Sequence, residues 1–207
     1  MAAAVLVIAA CGEAVAPDRA DTYPLDDLAP GLLFHWPPHR LPVRYWVAPE
    51  AGPVAGYVAT SLAAWQNQFL YGEFAGTMVN DSSRADVIVF VAGQTPPDVP
   101  LTSDTPVTAC EGSTGFDPPD AEGRFPGPFV VTLRWDFRYE DTDVANCLAR
   151  VALHEVGHSL GIFNHSDEPL DLMHANPTVT APSVRDRATI EMLYHTPVTV
   201  LAPERPR

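Results

Sequence analysis

The sequence predicts one α+β domain, and three observations lead to that class. Three segments have the β-branched and aromatic composition of strands. Three others repeat apolar residues at intervals of three and four, which is the spacing of an amphipathic helix. The chain has 207 residues and is 46% hydrophobic, so it is long and apolar enough to bury one core.

The strands are expected at residues 43–48 (VRYWVA), 85–93 (ADVIVFVAG) and 129–137 (FVVTLRWDF). The second is continuously apolar, which is typical of a strand that is covered on both faces. Residues 94–128 are rich in proline and glycine and are predicted to form loops.

The helices are expected at residues 53–72, 144–161 and 183–195. Asp141, Thr142 or Asp143 can cap the second helix, and Gly161 stands where it should end. Ser183 is a natural cap for the third. The folded domain is therefore predicted to span residues 42–198, followed by a short tail at 199–207.

The first eleven residues predict an export signal. Their apolar run is far too short to span a bilayer, and it ends in Ile-Ala-Ala-Cys, which resembles a bacterial lipobox with Cys11 as the lipidated residue. The basic residue that usually precedes such a run is missing, so an ordinary export signal and a segment with no targeting role both stay open as alternatives. We expect an exported bacterial protein, either secreted or held on the cell envelope by lipidated Cys11, with residues 12–41 as a Pro-rich acidic tether.

The charge of the chain argues against one class of partner. Twelve basic residues stand against 26 acidic ones, giving a net charge of −14. A strongly acidic protein gains nothing electrostatically from a phosphate backbone, so we expect no nucleic-acid partner. The sequence shows no internal repeat, and we expect a monomer.

The stretch HEVGHSLGIFNHS, residues 154–166, predicts a zinc site. His154 and His158 lie four residues apart on a predicted helix, so both rings point the same way and can reach one zinc ion. Glu155 is turned about 100° from His154, which places it beside the metal rather than on it. Zinc with three protein ligands keeps a position for water, and Glu155 can take the proton of that zinc-bound water as it attacks an amide carbonyl.

Three further features make the motif more specific. Gly161 follows at the point of reversal, His165 comes within reach of the same metal, and Met173 follows in DLMH. Together they resemble the metzincin clan of zinc endopeptidases and, within it, the matrixin-like family, whose pattern is HExxHxxGxxH followed by a Met-turn. The Leu-Tyr of LYHTP resembles the end of matrixin catalytic domains, and the likeness extends over about residues 43–195.

The resemblance implies a fold and a set of roles. The fold is a twisted, mostly parallel sheet with an active-site helix, a Met-turn and a C-terminal helix. The implied zinc ligands are His154, His158 and His165, with Glu155 as the catalytic base and Met173 as a hydrophobic floor under the metal. The implied activity is that of a zinc metalloendopeptidase acting on polypeptide substrates.

The sequence departs from the family pattern by one residue. The family spacing places the third histidine at position 164, which is Asn, whereas the span from His165 to Met173 has the family length. We therefore expect an insertion before His165, with Asn164 looped out in a left-handed or bulged conformation. The alternatives are Asn164 as an oxygen ligand, Glu191 on the last helix as the third ligand, or no third ligand. His174 stands where matrixins usually have Tyr.

The sequence gives weaker support for two further kinds of site, a disulfide and additional metal sites. If Cys11 carries lipid, Cys110 and Cys147 remain as a pair that could form a disulfide in an oxidising compartment, with two buried free thiols as the alternative. The resemblance also implies structural calcium and a second zinc. Residues 94–127 contain no histidine, which argues against a second zinc, and calcium stays open with the candidates Asp98, Asp104, Asp117 and Asp120.

Two other classes of function compete with the protease. One is a cell-surface binding lipoprotein that keeps the metzincin fold without turnover, and the presence of Glu155 argues against it. The other is a structural zinc domain, but such sites are usually closed by four protein ligands, often cysteines. Substrate, biological role and regulation do not follow from the sequence.

Overall fold

The computed structural model describes residues 21–25, 31–91, 110–135 and 140–205. Cys11, Asp98 and Asp104 lie outside these residues, as does the predicted export signal. None of the helices in the described part of the chain is long and apolar enough to cross a membrane.

A five-stranded sheet forms the centre of the domain. Its strands are β1 (Val43–Val47), β2 (Gly76–Met78), β3 (Val87–Val91), β4 (Cys110–Gly115) and β5 (Phe129–Trp135), in the order β2-β1-β3-β5-β4. All neighbours are parallel except β4, which runs antiparallel to β5 along one edge. The predicted α+β class with a mostly parallel, metzincin-like sheet is confirmed.

Three helices accompany the sheet: α1 (Val54–Gln66), α2 (Asp141–Ser159) and α3 (Val184–Tyr194). Alternate residues of β1, β3 and β5 are buried, and they form the core with the apolar side of α1. The indole Nε1 of Trp65 donates to the carbonyl of Leu153 over 2.8 Å, which joins α1 to the helix that carries HEVGH.

Two strands lie where no strand was predicted. β2 has only three residues, and β4 has the sequence CEGSTG, which lacks apolar alternation. β4 nevertheless pairs with β5 along its whole length, from Cys110 opposite Trp135 to Gly115 opposite Val130. At Gly112 a Cβ atom would lie 2.5 Å from Val151 Cγ1 and 2.7 Å from Glu155 Cγ, so glycine allows α2 to approach the strand.

The aromatic end of the expected tether at residues 12–41 packs into the domain. Phe34 and Trp36 are completely buried, and Trp36 Nε1 donates to the carbonyl of Ser159 over 2.8 Å. Gly161 has φ +113°, and a Cβ atom there would lie 2.0 Å from the Phe34 carbonyl oxygen. The aromatic residues of this segment therefore belong to the core, because burying them contributes more than leaving them on a linker.

The predicted tail at residues 199–207 is also packed onto the domain in its described part. Val200 and Ala202 are buried, and the backbone of Leu201 pairs with Gly123 and Phe125. The described residues before position 42 and after position 198 are thus part of the folded unit.

Asp86, just before β3, connects three parts of the chain. Its buried carboxylate accepts hydrogen bonds from Arg40, Arg44 and Arg205 at 2.8, 3.2 and 2.9 Å. These residues come from the N-terminal segment, β1 and the C-terminal segment. Burial alone would raise the pKa of Asp86, but the bonds from Arg205, Arg44 and Arg40 outweigh it and hold the pKa below its ordinary value.

Cys110 and Cys147 form a disulfide with a Cα–Cα distance of 5.8 Å. It joins the first residue of β4 to α2, seven residues before His154. The edge strand and the motif helix are therefore covalently linked close to the predicted site.

Candidate metal centre

Three histidines come together as the motif predicts. His154 and His158 lie on α2, His165 lies in the loop that follows, and one ring nitrogen from each falls within 4.8 Å of the others. The Nε2 atoms of His158 and His165 are 3.2 Å apart. Two nitrogens on one tetrahedral zinc ion would be separated by about 3.3 Å, given Zn–N bonds of about 2.0–2.1 Å.

The two helical histidines have fixed tautomers. His154 Nδ1–H donates to the carbonyl of Leu172 over 2.8 Å, and His158 Nδ1–H donates to that of Ile162 over 2.5 Å. Each bond leaves the Nε2 lone pair facing the centre of the cluster. Burial lowers the pKa of His154 to about 4 and that of His158 to about 3, so both rings are neutral at pH 7 and need lose no proton to bind a metal.

The loop from Gly161 to His165 differs from the expectation in one respect. Asn164 is not looped out: its side chain is only 2% exposed, and its amide Nδ2 donates to the carbonyl of Pro24 over 3.0 Å. Nor is it left-handed, since every residue with positive φ in the described part of the chain is a glycine. The loop therefore accommodates its extra residue by turning the side chain of Asn164 inward. His165, the next residue, remains exposed.

Met173 lies beneath the motif helix. It is completely buried, and a Cβ atom at Gly157 would lie 2.5 Å from its sulfur and 2.7 Å from Trp65 Cζ2. Gly157 stands between the two helical histidines in sequence, so Met173 contacts α2 at the level of the site. Its role as a hydrophobic floor under a metal ion stays a prediction.

Asp186, on α3, is a site-supporting residue that the sequence analysis missed. Its fully buried carboxylate accepts the backbone N–H groups of Leu172 and Met173 at 2.7 and 3.2 Å. Because the carbonyl of Leu172 accepts from His154, Asp186 fixes the turn that orients a predicted ligand. The spacing from Ser183 indicates a capping box, which the structure contains, but the contact with the turn is tertiary and leaves no local signal.

Glu155 follows His154 on α2 and has one hydroxyl partner. The side chain is 4% exposed, and Thr114 of β4 donates to its Oε2 over 2.8 Å. Burial raises the pKa of Glu155 to about 7, although the Thr114 bond opposes the shift. Thr114 was missed because it lies in a segment that was predicted to form loops.

The other candidates lie apart from the cluster. Glu191 pairs with Arg187 on the surface of α3, so the alternative third ligand receives no support. Asp120 accepts the backbone N–H groups of Glu122 and Arg124, as in an ordinary turn. Within the described ranges, the three histidines are the only group of three or more His, Cys, Asp or Glu side chains arranged to hold a metal ion, and no calcium site is shown.

The residues present fit a zinc ion. Three neutral imidazoles converge, two of them through Nε2 atoms that their carbonyl partners leave unprotonated, and this donor set is the one that catalytic zinc sites use with one position open. His174 is near enough to influence His154 and His165 electrostatically, but it is not one of the three converging rings.

Two comparisons with known proteins find a similarity. The family model described as Matrixin matches residues 57–195, which is more than half of the chain. Among solved structures, the chain is similar to High choriolytic enzyme 1, a hatching-enzyme zinc protease from Oryzias latipes (medaka), at 13% identity and a TM-score of 0.43, over 80% of this chain and 94% of that one. The search of curated proteins gives no match. The chain therefore belongs to the matrixin family.

Proposed function

We propose that the protein is a zinc-dependent endopeptidase in which His154, His158 and His165 hold the metal and Glu155 is the catalytic base. The observation that carries this proposal is the position of Glu155. Glu155 directly follows the converging His154 on α2, and its carboxylate is buried with a pKa raised to about 7, which is costly for a group without a function. A protein that merely bound metal would have no need of it.

Zinc, when bound, supplies a Lewis acid that polarises a carbonyl and acidifies a water molecule. The chain's own groups supply the proton transfers. Thr114 binds Oε2 of Glu155, and the carboxylate would accept the proton of the attacking water and then deliver it to the departing amine. Thr114 restricts the rotation of the carboxylate, and a pKa near neutrality suits a group that must both take up and release a proton.

The substrate class follows from the reaction and the family. An amide bond needs both a polarised carbonyl and a proton donor for its amine, and the proposed site offers both. We therefore propose polypeptides as substrates, cleaved within the chain.

The test combines metal analysis with digestion of a general peptide library by the full chain. Wild type should bind one zinc and cleave. Glu155→Gln keeps the side-chain volume and an oxygen for Thr114, so it should retain zinc while activity falls by roughly 10²-fold or more, because proton transfer is lost. His165→Ala should lose zinc, whereas His195→Ala, outside the cluster, should behave as wild type. Zinc binding with no cleavage by wild type would favour the binding protein over the protease.

A further inference from the structure

The third histidine is held differently from the other two. Among the described residues, the ring of His165 hydrogen-bonds only with His158, whereas His154 and His158 each donate Nδ1–H to a backbone carbonyl. His165 is also exposed. Ligating histidines are usually oriented through their second ring nitrogen, so the position of His165 must depend on its neighbours in the chain.

One neighbour is fixed from the C-terminal side. The backbone N–H of Ser166 donates to the carbonyl of Met173 over 2.8 Å, and its hydroxyl donates to Asp171 over 2.5 Å. These bonds attach the residue after His165 to the turn around Met173. They leave the residue before His165 to be fixed by something else.

That residue is Asn164, and its partner comes from the beginning of the described chain. Residues 23–25, here called the upstream clamp, lie against α3 and the histidine loop, with Tyr23 and Leu25 only 1% and 8% exposed. The carbonyl of Pro24 accepts from the Asn164 amide at 3.0 Å. Asn164 and Pro24 are 140 residues apart in sequence, so this hydrogen bond forms only when the upstream clamp is folded against the histidine loop.

The clamp is anchored on α3 through Tyr23. The phenol O–H donates to Asp186 Oδ1 over 3.0 Å, the backbone N–H donates to Thr189 Oγ1 over 3.3 Å, and the guanidinium of Arg185 lies 5.4 Å from the ring centre. The position of the neighbouring Pro24 carbonyl is thereby set by a buried anchor. Proline also restricts the backbone at this point.

We propose that Asn164 is a positioning residue for the third metal ligand and that it acts by binding the upstream clamp. The inserted Asn164 is the residue to which the upstream clamp is bonded, and through this bond the clamp holds His165 in place. The inference rests on the proposed zinc ligation by His165. It extends the site beyond the motif to residues 23–25.

The experiment measures zinc affinity of the full chain by competition with a chelator, together with thermal unfolding of the metal-free protein. Asn164→Ala should bind zinc about tenfold more weakly, the lower end of the effect of removing a residue that orients a ligand. Tyr23→Ala, which releases the anchor, should give a similar loss. The double variant should lose less zinc affinity than the sum of the two single losses, because both changes disturb the contact between Asn164 and Pro24.

The controls separate a positioning role from a structural one. Asn176→Ala, exposed in the loop after Met173, should leave zinc affinity unchanged. Asn164→Asp keeps the volume but has no donor for the Pro24 carbonyl, and it should reproduce the loss if Asn164→Ala does not fold. Unchanged zinc affinity in the Asn164 variants, with only a lower melting temperature, overturns the proposal, as do losses that simply add in the double variant. A wild type that binds no zinc would instead refute the proposed function, and this inference with it.

Discussion

At the scale of single residues, Glu155 opposes the stability of the metal-free protein. An unfolded glutamate has a pKa of about 4.3, whereas burial raises the pKa of Glu155 to about 7 in the folded state. Between these values the unfolded chain releases a proton that the folded chain keeps. Stability therefore falls as pH rises through this interval, and the loss is complete above the folded pKa.

Glu155→Gln should remove this pH dependence. The variant is expected to raise the melting temperature of the metal-free protein more at pH 8 than at pH 4.5, since only at the higher pH does wild type bury a charge. The measurement is thermal unfolding in the presence of a chelator at both pH values. His154 and His158 titrate in both proteins and cancel in the comparison, so an equal shift at the two pH values would contradict the assignment.

The same scale shows what the motif could and could not predict. The positions of His154 and His158 follow from helical spacing alone, and that of His165 from its distance to Met173. The inward turn of Asn164 does not follow, because its partner Pro24 is remote in sequence. Local preferences for Asn describe an exposed turn, and a tertiary hydrogen bond overrides them here.

At the scale of elements, the carboxylate of Asp186 holds two of them together. It closes the capping box of α3 by accepting from the backbone N–H of Ser183 at 2.8 Å, while accepting the N–H groups of Leu172 and Met173. A helix start and the turn below the metal site thus share one acceptor. Neither element can shift without breaking bonds of the other.

Asp186→Asn should destabilise the protein by about 2 kcal/mol or more, because an amide leaves buried donors without an acceptor and each costs about 1–3 kcal/mol. Urea unfolding provides the measurement. Glu191→Gln on the same helix removes only the surface pair with Arg187 and should cost no more than about 0.5 kcal/mol. A loss for Asp186→Asn as small as that of the control would show that the shared acceptor is unimportant.

Elements with a strong local pattern were predicted within a few residues, and those without one were not. β1, β3 and β5 are apolar runs, α3 has the predicted cap at Ser183, and α1 and α2 have periodic apolar faces. The expected cap of α2 is wrong, since no side chain caps this helix, and α1 ends at Gln66 rather than at residue 72. β4 is polar and contains two glycines; it is a strand because β5 offers a free edge and because Gly112 allows α2 to approach. These causes lie in the partners of the strand rather than in its own residues.

At the scale of the whole molecule, Asp86 joins the two ends of the domain. Its lowered pKa means that the carboxylate contributes stability fully above the unfolded aspartate pKa of about 3.9 and loses that contribution as pH falls through the lower folded value. Above that range the guanidinium groups of Arg40, Arg44 and Arg205 all pair with this one buried carboxylate.

Asp86→Asn should therefore cost about 3–5 kcal/mol at pH 7, as expected when one partner of a buried ion pair is removed. The difference from wild type should shrink toward pH 3. Denaturant unfolding at both pH values measures it, with Glu111→Gln as the control because Glu111 and Arg134 form an exposed pair. A cost that is the same at both pH values would show that the charge of Asp86 is not the cause.

The extent of the domain was the least predictable property at this scale. Prolines and acidic residues before residue 42 are typical of a linker, yet Phe34 and Trp36 lie in the core. Composition averages over a segment, whereas burial depends on a few large side chains. Val200 and Ala202, in the segment predicted to be a tail, are buried as well.

The anchoring of the upstream clamp determines how the protein responds to a mechanical load. A pull applied before residue 21 reaches Tyr23 first, and its contacts lead to Asp186 and, through Pro24, to Asn164 beside His165. A pull applied after residue 205 reaches Asp86 and the start of β3 instead. A pull from the N-terminal side therefore acts on the histidine cluster before it acts on the sheet, and an immobilised protein should be attached to a surface through its C-terminal end.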